Sequence, residues 1–344
     1  MAKRSTKKNS RRERTSEPFR VLSIDGGGIR GIIPGMILAE VERRTKKPIA
    51  ASFDLIAGTS TGGILALGLT IPDEDGKPRY SANDLVRLYH QNGERIFPRP
   101  LWRRLPAAGF VADVFDDRYP SEGIEGVLHE YFGDSRLKDG LVDVLIPSYA
   151  IERRVPFLFK TRHATNPDRT KTHDFAVRDV ARATSAAPTY FEPAVIRAHR
   201  ETREDQYALV DGGVYANNPS LCALAEAIHG YGKPIGDIRL VSLGTGQMNR
   251  PIRMREARGW GLAGWVRPVL SIMMDGMADT VEYQCAQLLK NEQYVRIDDS
   301  LTDVDDDMDN ASERNLRDIG RFADRLLRER EDELEKIVAL IDEA

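Results

Sequence analysis

The 344-residue sequence has little cysteine, little net charge and no long apolar run. Its two cysteines, Cys222 and Cys285, are too few for a disulfide framework or for the usual four-ligand zinc site, and they favour a reducing, cytoplasmic compartment. No stretch approaches the roughly 18 consecutive apolar residues that a membrane-spanning helix needs. The 50 basic and 53 acidic residues give a formal net charge of −3, which excludes a chain whose main role is to coat nucleic acid.

The first 17 residues also lack an apolar segment, although seven of them are lysine or arginine. A secretory signal needs an apolar segment behind its basic residues, so we expect no such signal here. Two interpretations remain open for residues 1–17. They form either a disordered, solvated tail or a weak electrostatic tether to an anionic lipid surface.

Apolar residues make up 41% of the chain, enough to build a sizeable core, and their spacing predicts alternating strands and helices from Phe19 onwards. Strands are predicted at residues 20–24, 53–57, 142–151, 155–159, 207–210, 238–243 and 294–297, and helices at 35–44, 63–69, 82–95, 124–131, 177–187 and 221–228. This alternation is typical of an α/β layer fold with a largely parallel sheet. Four prolines between residues 97 and 120 break the pattern and predict a long loop.

The segment Gly58-Thr59-Ser60-Thr61-Gly62 lies between a predicted strand and a predicted helix. A nucleophilic serine on a sharp strand-to-helix turn needs small neighbours, because the backbone is strained there and the hydroxyl must project outward. The N-terminus of the following helix also favours developing negative charge. The pattern therefore indicates a nucleophile at Ser60. The alternative is a tight turn at which glycine merely lets the helix pack closely.

Consecutive glycines in the segment 25–31, Asp-Gly-Gly-Gly-Ile-Arg-Gly, let backbone N–H groups converge on one point. Such a point suits either a phosphate or a tetrahedral oxyanion. The Walker ending Gly-Lys-Ser/Thr is missing. The glycines do have dinucleotide spacing, but Pro34 interrupts the expected helix start and residues 48–53 contain no acid. A non-catalytic nucleotide-binding module that uses the loop Gly26–Gly31 is therefore the weaker alternative to an oxyanion hole.

A serine hydroxyl also needs a base that accepts its proton. None of the six histidines lies in a glycine-framed turn; they are His90, His129, His163, His173, His199 and His229. Asp211 ends an apolar strand and is followed by Gly212 and Gly213, so its carboxylate can point into a crevice with little obstruction. The alternative is an ordinary aspartate in a β-turn. For Asp211 to act as the base, burial should raise its pKa above the usual value of about 3.9.

Taken together and in this order, the three segments resemble the patatin-like phospholipase family, and the resemblance covers roughly residues 19–246. Residues 183–191, Ala-Thr-Ser-Ala-Ala-Pro-Thr-Tyr-Phe, are also similar to the family's Ala-Ser-x-Ala-x-Pro-x-x-Phe stretch, although imperfectly. The resemblance implies a three-layer α/β/α sandwich with a mainly parallel central sheet and a helical C-terminal portion. The expected domain spans 18–344, with a catalytic core at 19–246 and a mainly helical part at 258–344.

The resemblance further implies a catalytic Ser–Asp dyad without histidine, and neither a cofactor nor a metal. Carried over by position, Ser60 is the nucleophile and Asp211 is the base. The supporting roles fall on glycines and one arginine: the amides of Gly26, Gly27 and Gly28 form the oxyanion hole, Arg30 orients their loop, and Gly58 and Gly62 frame the nucleophile elbow.

The implied reaction is phospholipase A-type hydrolysis of membrane phospholipid esters by a cytoplasmic protein that contacts the inner face of the membrane when active. A housekeeping lysophospholipase or a lipid acyltransferase is the alternative with the same chemistry. The chain also resembles the patatin-like effectors of cyclic-oligonucleotide antiphage systems (CBASS), which a cyclic dinucleotide activates. Arg99, Arg103 and Arg104 beside Trp102 are the candidate contacts for such an activator. Homo-oligomer formation is left open.

Two segments are candidates for controlling access to a lipid site. Residues 260–277 are strongly apolar and rich in methionine and glycine, which predicts either one buried helix or a movable lid or acyl-chain wall. The loop at 97–115 is the second candidate. The aspartates between 298 and 309 suggest calcium, but an EF-hand loop starting at Asp303 would place Met308 where glycine is needed. A solvated acidic turn is therefore expected there.

Overall fold

Eight strands form one sheet within the residues that the structure describes. The structure is a computed structural model, and it describes residues 17–98, 119–198 and 206–342. In chain order, β1 to β8 are Phe19–Ile24, Leu55–Gly58, Asp143–Ala150, Val155–Lys160, Ala194–Arg197, Gln206–Asp211, Ile238–Leu243 and Tyr294–Ile297. Their order across the sheet is β5-β6-β3-β2-β1-β7-β8, with β4 paired to β3. The pairings of β1 with β2 and β7, of β2 with β3 and of β7 with β8 are parallel, whereas those of β3 with β4 and β6 and of β5 with β6 are antiparallel.

Helices cover both faces of this sheet. In chain order, α1 to α13 are Ile32–Thr45, Thr61–Thr70, Ala82–Ile96, Ser121–Phe132, Thr161–Thr165, Thr170–His173, Val177–Thr184, Gly213–Ala216, Ser220–His229, Met254–Ala257, Leu262–Leu288, Glu313–Glu329 and Glu331–Asp342. Pro34 lies in the first turn of α1, where its missing N–H costs no hydrogen bond.

Two apolar cores lie on opposite faces of the sheet, because successive side chains of a strand point in opposite directions. Leu22 and Ile24 of β1 belong to the larger core, which α1 and α12 complete. Val21 of β1 and Leu55 of β2 belong to the smaller core, which α9 and Cys285 of α11 complete. With a helical layer on each face of the sheet, the expected three-layer α/β/α sandwich is confirmed.

Strand β3 brings the ends of two other strands together. β4 pairs with β3 from Leu145 to Ala150 along one edge. Along the other edge, β2 runs parallel as far as Leu145 and β6 runs antiparallel from Ser148 to Ala150. β2 and β6 therefore point toward each other. Their carboxyl ends, at Gly58 and Asp211, meet beside the middle of β3.

The predicted strands and helices are confirmed to within a few residues, but β5 and the short helices α5, α6, α8 and α10 were not predicted. Strand β5 was missed because it is a four-residue strand whose side chains are alternately buried and exposed. The predicted helix over 177–187 ends at Thr184, since residues just before a proline, here Pro188, avoid helical conformation.

Several sequence-based predictions fall on residues that the structure does not describe. They concern the basic segment at 1–16, most of the loop at 97–115, His199, and the candidate activator contacts Arg99, Trp102, Arg103 and Arg104. In the described part of the chain, no helix has both the length and the apolar character needed to cross a bilayer.

Candidate active site

Ser60 lies on the turn between the end of β2 and the start of α2, in a strained conformation with φ 55° and ψ −121°. Its own N–H donates a hydrogen bond to the Thr184 hydroxyl at 3.0 Å. The neighbouring glycines are required by space. A Cβ on Gly58 would collide with the carbonyl of Gly62, and a Cβ on Gly62 would collide with a carbonyl oxygen of β1. The small residues around Ser60 thus let α2 begin directly against the sheet while the serine takes a conformation that side chains rarely adopt.

Asp211, the last residue of β6, lies beside Ser60. Its carboxyl is 2% exposed, and Oδ1 accepts the N–H of Gly213 at 2.7 Å. Burial raises the pKa of Asp211 to about 7, while hydrogen bonds from the Ser60 hydroxyl and the Gly213 N–H lower it in part. Oδ2 has no hydrogen-bond partner among the described residues. Oδ2 therefore keeps a lone pair available for a proton.

The glycine loop after β1 lies next to this pair. The N–H of Gly26 donates to the carbonyl of Asn217 at 3.0 Å and is thus engaged within the protein. A Cβ on Gly26 would lie 3.2 Å from Cβ of Ser60, so glycine is what allows the close approach. For the N–H groups of Gly27 and Gly28, the described residues provide no hydrogen-bond acceptor. Two of the three amides expected in an oxyanion hole are therefore available at this site.

Arg30 braces the glycine loop from behind. It is 4% exposed, its Nε donates to the carbonyl of Gly27 at 3.3 Å, and its Nη1 donates to the carbonyl of Gly246 at 3.2 Å. Burial lowers the pKa of Arg30 from its ordinary value. The Thr245 hydroxyl adds a further bond to the carbonyl of Gly26 at 2.7 Å. These bonds hold the carbonyls of the loop away from the cavity.

Asp25, which begins the glycine loop, is held from the other side by Arg296 of β8. The guanidinium reaches Asp25 Oδ2 at 2.8 Å and Asp298 Oδ2 at 2.9 Å, and Asp298 Oδ1 accepts the N–H of Gly246 at 2.9 Å. Burial raises the pKa of Asp25 to about 7, although the charge of Arg296 lowers it in part. Arg296 thus holds the glycine loop at Asp25. Both Arg30, directly, and Arg296, through Asp298, also connect the loop to Gly246.

One cavity contains Ser60, Asp211, Gly27 and Gly28 on its wall. The rest of its lining is mostly apolar or aromatic and comprises Thr61, Ile64, Tyr89, Ile96, Phe97, Ile124, Ser185, Ala187, Tyr190, Phe191, Met274 and Met308. None of the described histidines is in this lining. The groups that can react therefore share one cavity whose other walls are mostly apolar or aromatic.

Helix α11 contributes Met274 to this cavity, and only its inner face is buried. Met274 is 8% exposed, whereas Trp265, Val269 and Ile272 are exposed large apolar side chains. The expectation of a buried helix is thus correct for one face only. Met274 forms part of the cavity wall, and the other expectation, a movable lid or acyl-chain wall, stays a prediction.

The acidic segment before α12 is not simply a solvated turn. The carbonyl of Met308 accepts the N–H of Ile29 at 2.8 Å, which brings this segment over the glycine loop. Carboxylate oxygens of Asp305, Asp306 and Asp307 lie within 4.8 Å of one another. Asp306 is ion-paired with Arg250 at 2.7 Å. The expectation of a solvated turn is correct for Asp303, Asp305 and Asp307, which are exposed, and wrong for Asp306, which is buried.

Sequence reasoning missed several residues that shape the site: Thr184, Asn217, Arg296 and Met308. Asn217 follows Asp211 in the segment that drew attention to the carboxylate, and a Cβ on Gly213 would lie 3.3 Å from its Oδ1. Thr184 lies in the segment 183–191, whose similarity to the family stretch was a usable signal. No local pattern marks Met308 or Arg296, because both reach the site through long-range packing.

Comparisons with known proteins support the family suggested by the motifs. A family model described as patatin-like phospholipase matches residues 22–224. Patatin-like protein 1 of Arabidopsis thaliana is 33% identical over 90% of this chain and 81% of its own length. Patatin-like protein 2 of Oryza sativa subsp. japonica is 33% identical over 89% and 83%, and Patatin-15 of Solanum tuberosum is 30% identical over 91% and 84%. Among solved structures, the crystal structure of VipD from Legionella pneumophila covers 90% of this chain and 67% of that chain at 12% identity and a TM-score of 0.35, a likeness too low to add to the sequence matches.

Proposed function

This chain belongs to the patatin-like phospholipase family, and we propose that it hydrolyses acyl esters of membrane phospholipids with Ser60 as the nucleophile and Asp211 as the general base. The family's general activity is lipid acyl hydrolysis. The observation that carries the proposal is the position of a strained serine beside a buried carboxylate, in the wall of a mostly apolar cavity. An ester with an acyl chain matches both the reactive groups and the apolar lining of that cavity.

In the proposed first step, Oγ of Ser60 attacks the ester carbonyl carbon and its proton passes to Asp211. The carbonyl oxygen becomes an oxyanion and accepts hydrogen bonds from the N–H groups of Gly27 and Gly28. The tetrahedral intermediate then expels the glycerol oxygen, which takes the proton from Asp211. Losing one oxyanion donor typically costs about 3 kcal/mol of transition-state stabilisation, so this loop is expected to carry much of the catalysis.

In the second step, water attacks the acyl group on Ser60 and gives its proton to Asp211. The fatty acid leaves when the bond to Oγ breaks, and Ser60 regains the proton. The same carboxylate therefore serves both steps as base and then as acid. A pKa of about 7 suits this double role, because a group whose pKa lies near the working pH both accepts and returns a proton readily.

The cavity does not favour the non-catalytic nucleotide-binding alternative. The residues that line it include no lysine or arginine in the described part of the chain, but they do include Asp211. A phosphate in this position would meet a carboxylate without a compensating cation. The CBASS alternative rests on its sequence resemblance alone, since the arginines considered for it lie outside the described residues.

The decisive test compares fatty-acid release from phospholipid vesicles by wild type, Ser60→Ala and Asp211→Asn. Both variants should lose about 10³-fold or more in kcat/KM. Ser185→Ala is the matched control, because Ser185 also lines the cavity but its hydroxyl bonds to the carbonyl of Ala181 at 2.7 Å. That variant should keep most of its activity. Wild-type rates from Ser60→Ala would refute the proposal.

The same assay separates the finer alternatives. Wild-type activity should rise with pH through about 7 as Asp211 ionises, because only the ionised carboxylate accepts the proton. Adding an acyl acceptor distinguishes an acyltransferase by a new acylated product in place of free fatty acid. Adding a panel of cyclic dinucleotides tests the effector alternative, which requires a large increase in rate with one member of the panel.

A further inference from the structure

The outer face of α11 carries a row of exposed apolar side chains. Trp265, Val269, Ile272 and Met273 are between 37% and 47% exposed. Their spacing of four, three and one residues places all four within about 100° of the helix circumference. An isolated exposed apolar residue is ordinary on a protein surface, but a row on one helix face points to a partner.

The segment that leads into α11 extends this row and adds positive charge. Ile252 and Met254 are 42% and 73% exposed. Arginines 250, 253, 255 and 258 are interleaved with them, against one acid, Glu256. Arg250 pairs with Asp306, whereas for the other three arginines the described residues provide no ion-pair partner. This local positive charge contrasts with the net charge of −3 of the whole chain.

The two segments are joined into one surface by direct contacts. The rings of Trp260 and Trp265 pack edge to face with centroids 5.1 Å apart. The Ser271 hydroxyl of α11 lies 3.0 Å from the sulfur of Met248, just before the basic segment. We call this the α10–α11 surface, and it consists of Ile252, Arg253, Met254, Arg255, Arg258, Trp265, Val269, Ile272 and Met273.

The opposite face of the same helix forms part of the candidate active site. Met274 lies about 150° around the helix from the middle of the exposed row, is 8% exposed and lines the cavity with Ser60 and Asp211. The α10–α11 surface and the cavity are therefore separated by the thickness of one helix, roughly 10 Å. A substrate drawn from whatever this surface contacts has only a short path to Ser60.

We propose that the α10–α11 surface docks on an anionic phospholipid bilayer. The apolar side chains enter the boundary between headgroups and acyl chains, and the arginines contact the headgroup phosphates and carboxylates. The inference rests on the proposed function, since it assigns the place where that phospholipid substrate is met. A second copy of the chain fits the surface less well, because a two-fold contact would bring the arginines of both copies together.

Docking can be measured without turnover in the full-length Ser60→Ala protein, by co-sedimentation with vesicles of phosphatidylcholine, with or without phosphatidylserine. Each arginine near an anionic surface contributes about five-fold to binding, so Arg253→Gln combined with Arg255→Gln should weaken binding to phosphatidylserine vesicles about 25-fold. Ile272→Ser combined with Met273→Ser should weaken binding to both kinds of vesicle. Raising the salt concentration should weaken only the binding that depends on phosphatidylserine.

Two control variants carry substitutions of the same two kinds, apolar to serine and arginine to glutamine, on other surfaces. Val195→Ser removes an apolar side chain of β5 that is 59% exposed. Arg314→Gln combined with Arg317→Gln removes two exposed charges from α12. Neither control should change vesicle binding, and all variants should show the thermal unfolding temperature of the parent because the replaced side chains are exposed.

The outcomes separate this inference from the proposed function. If the α10–α11 variants bind vesicles as well as the controls do, docking at this surface is refuted even where phospholipid hydrolysis is established. If wild type hydrolyses no lipid but the Ser60→Ala protein binds vesicles through this surface, the proposed function fails alone. Sedimentation as a dimer that both α10–α11 variants dissociate would also overturn the proposal, since the surface would then be an interface between copies.

Discussion

Replacing the proposed base by its neutral isostere should stabilise the folded protein even as it removes activity. Asp211 is 2% exposed, and burial raises its pKa from 3.8 to about 7. Below about pH 4, the carboxyl is protonated in both the folded and the unfolded chain. Between about pH 4 and pH 7 the unfolded chain ionises first, so the free energy of unfolding falls as the pH rises, and above about pH 7 the loss is complete.

The size of this loss follows from the two pKa values. A rise from 3.8 to about 7 corresponds to about 4 kcal/mol, because each pKa unit represents about 1.4 kcal/mol. The side chain in Asp211→Asn cannot ionise, so this variant does not lose that free energy of unfolding. For a chain of this length, about 4 kcal/mol corresponds to a rise of about 5 °C in the unfolding temperature.

The assay is thermal unfolding of wild type and Asp211→Asn, followed by circular dichroism at about pH 5 and about pH 8. The difference in unfolding temperature should be larger at the higher pH, where wild type has lost the most stability. Asp25, whose pKa burial also raises to about 7, titrates in both proteins and cancels in the comparison.

Asp174→Asn provides the opposite control. Its carboxylate is fully buried but lies 3.2 Å from Arg136 and 3.6 Å from Lys138, so its removal breaks ion pairs and should lower the unfolding temperature. If the difference in unfolding temperature between Asp211→Asn and wild type is no larger at about pH 8 than at about pH 5, burial does not destabilise the charged form of Asp211. The reasoning that makes this carboxylate a base with a raised pKa would then be wrong.

Three further substitutions test the structure around the site. Ser60→Gly should unfold at a higher temperature than Ser60→Ala. The backbone conformation at this position, with φ 55° and ψ −121°, destabilises any residue other than glycine by about 1–3 kcal/mol. Equal unfolding temperatures would contradict this strain. Arg296→Met should lower the free energy of unfolding, measured in urea, by about 3–5 kcal/mol. The loss should be larger at high pH, because Asp25 without its cation ionises at a higher cost. A loss that does not depend on pH would argue against this pairing. Gly62→Ala should give little folded protein on gel filtration, because its Cβ collides with a carbonyl of β1. Gly236→Ala is the control and should be tolerated, because open space surrounds Gly236. Equal yields of the two variants would disprove the collision.

The regular elements and the nucleophile turn could be predicted because both depend on neighbours in the chain. Short apolar runs define β1 and β7, and glycines within two positions of Ser60 permit the strained turn. β5 could not be predicted in this way, because a four-residue strand with two exposed side chains has too little apolar pattern to be distinguished from a loop.

The contacts that support the glycine loop were beyond prediction from local sequence. Arg296 and Asp25 are 271 residues apart, and nothing near either residue marks the other. The bond between Ile29 and the carbonyl of Met308 likewise joins segments whose local patterns predict only a loop and an acidic turn. Engagement of the Gly26 amide by Asn217 follows from the packing of the residues after β6, so the number of available amides could not be counted beforehand.

Local sequence alone was enough to set the residue types of the site: a serine between glycines, a glycine loop, and an aspartate at a strand end. These depend on steric limits that act over a few residues. The tertiary structure decided that Asp211 lies beside Ser60, because β6 and β2 meet end to end along β3. It also decided the raised pKa of Asp211, because burial depends on every element packed around the carboxyl and not on its neighbours in the chain.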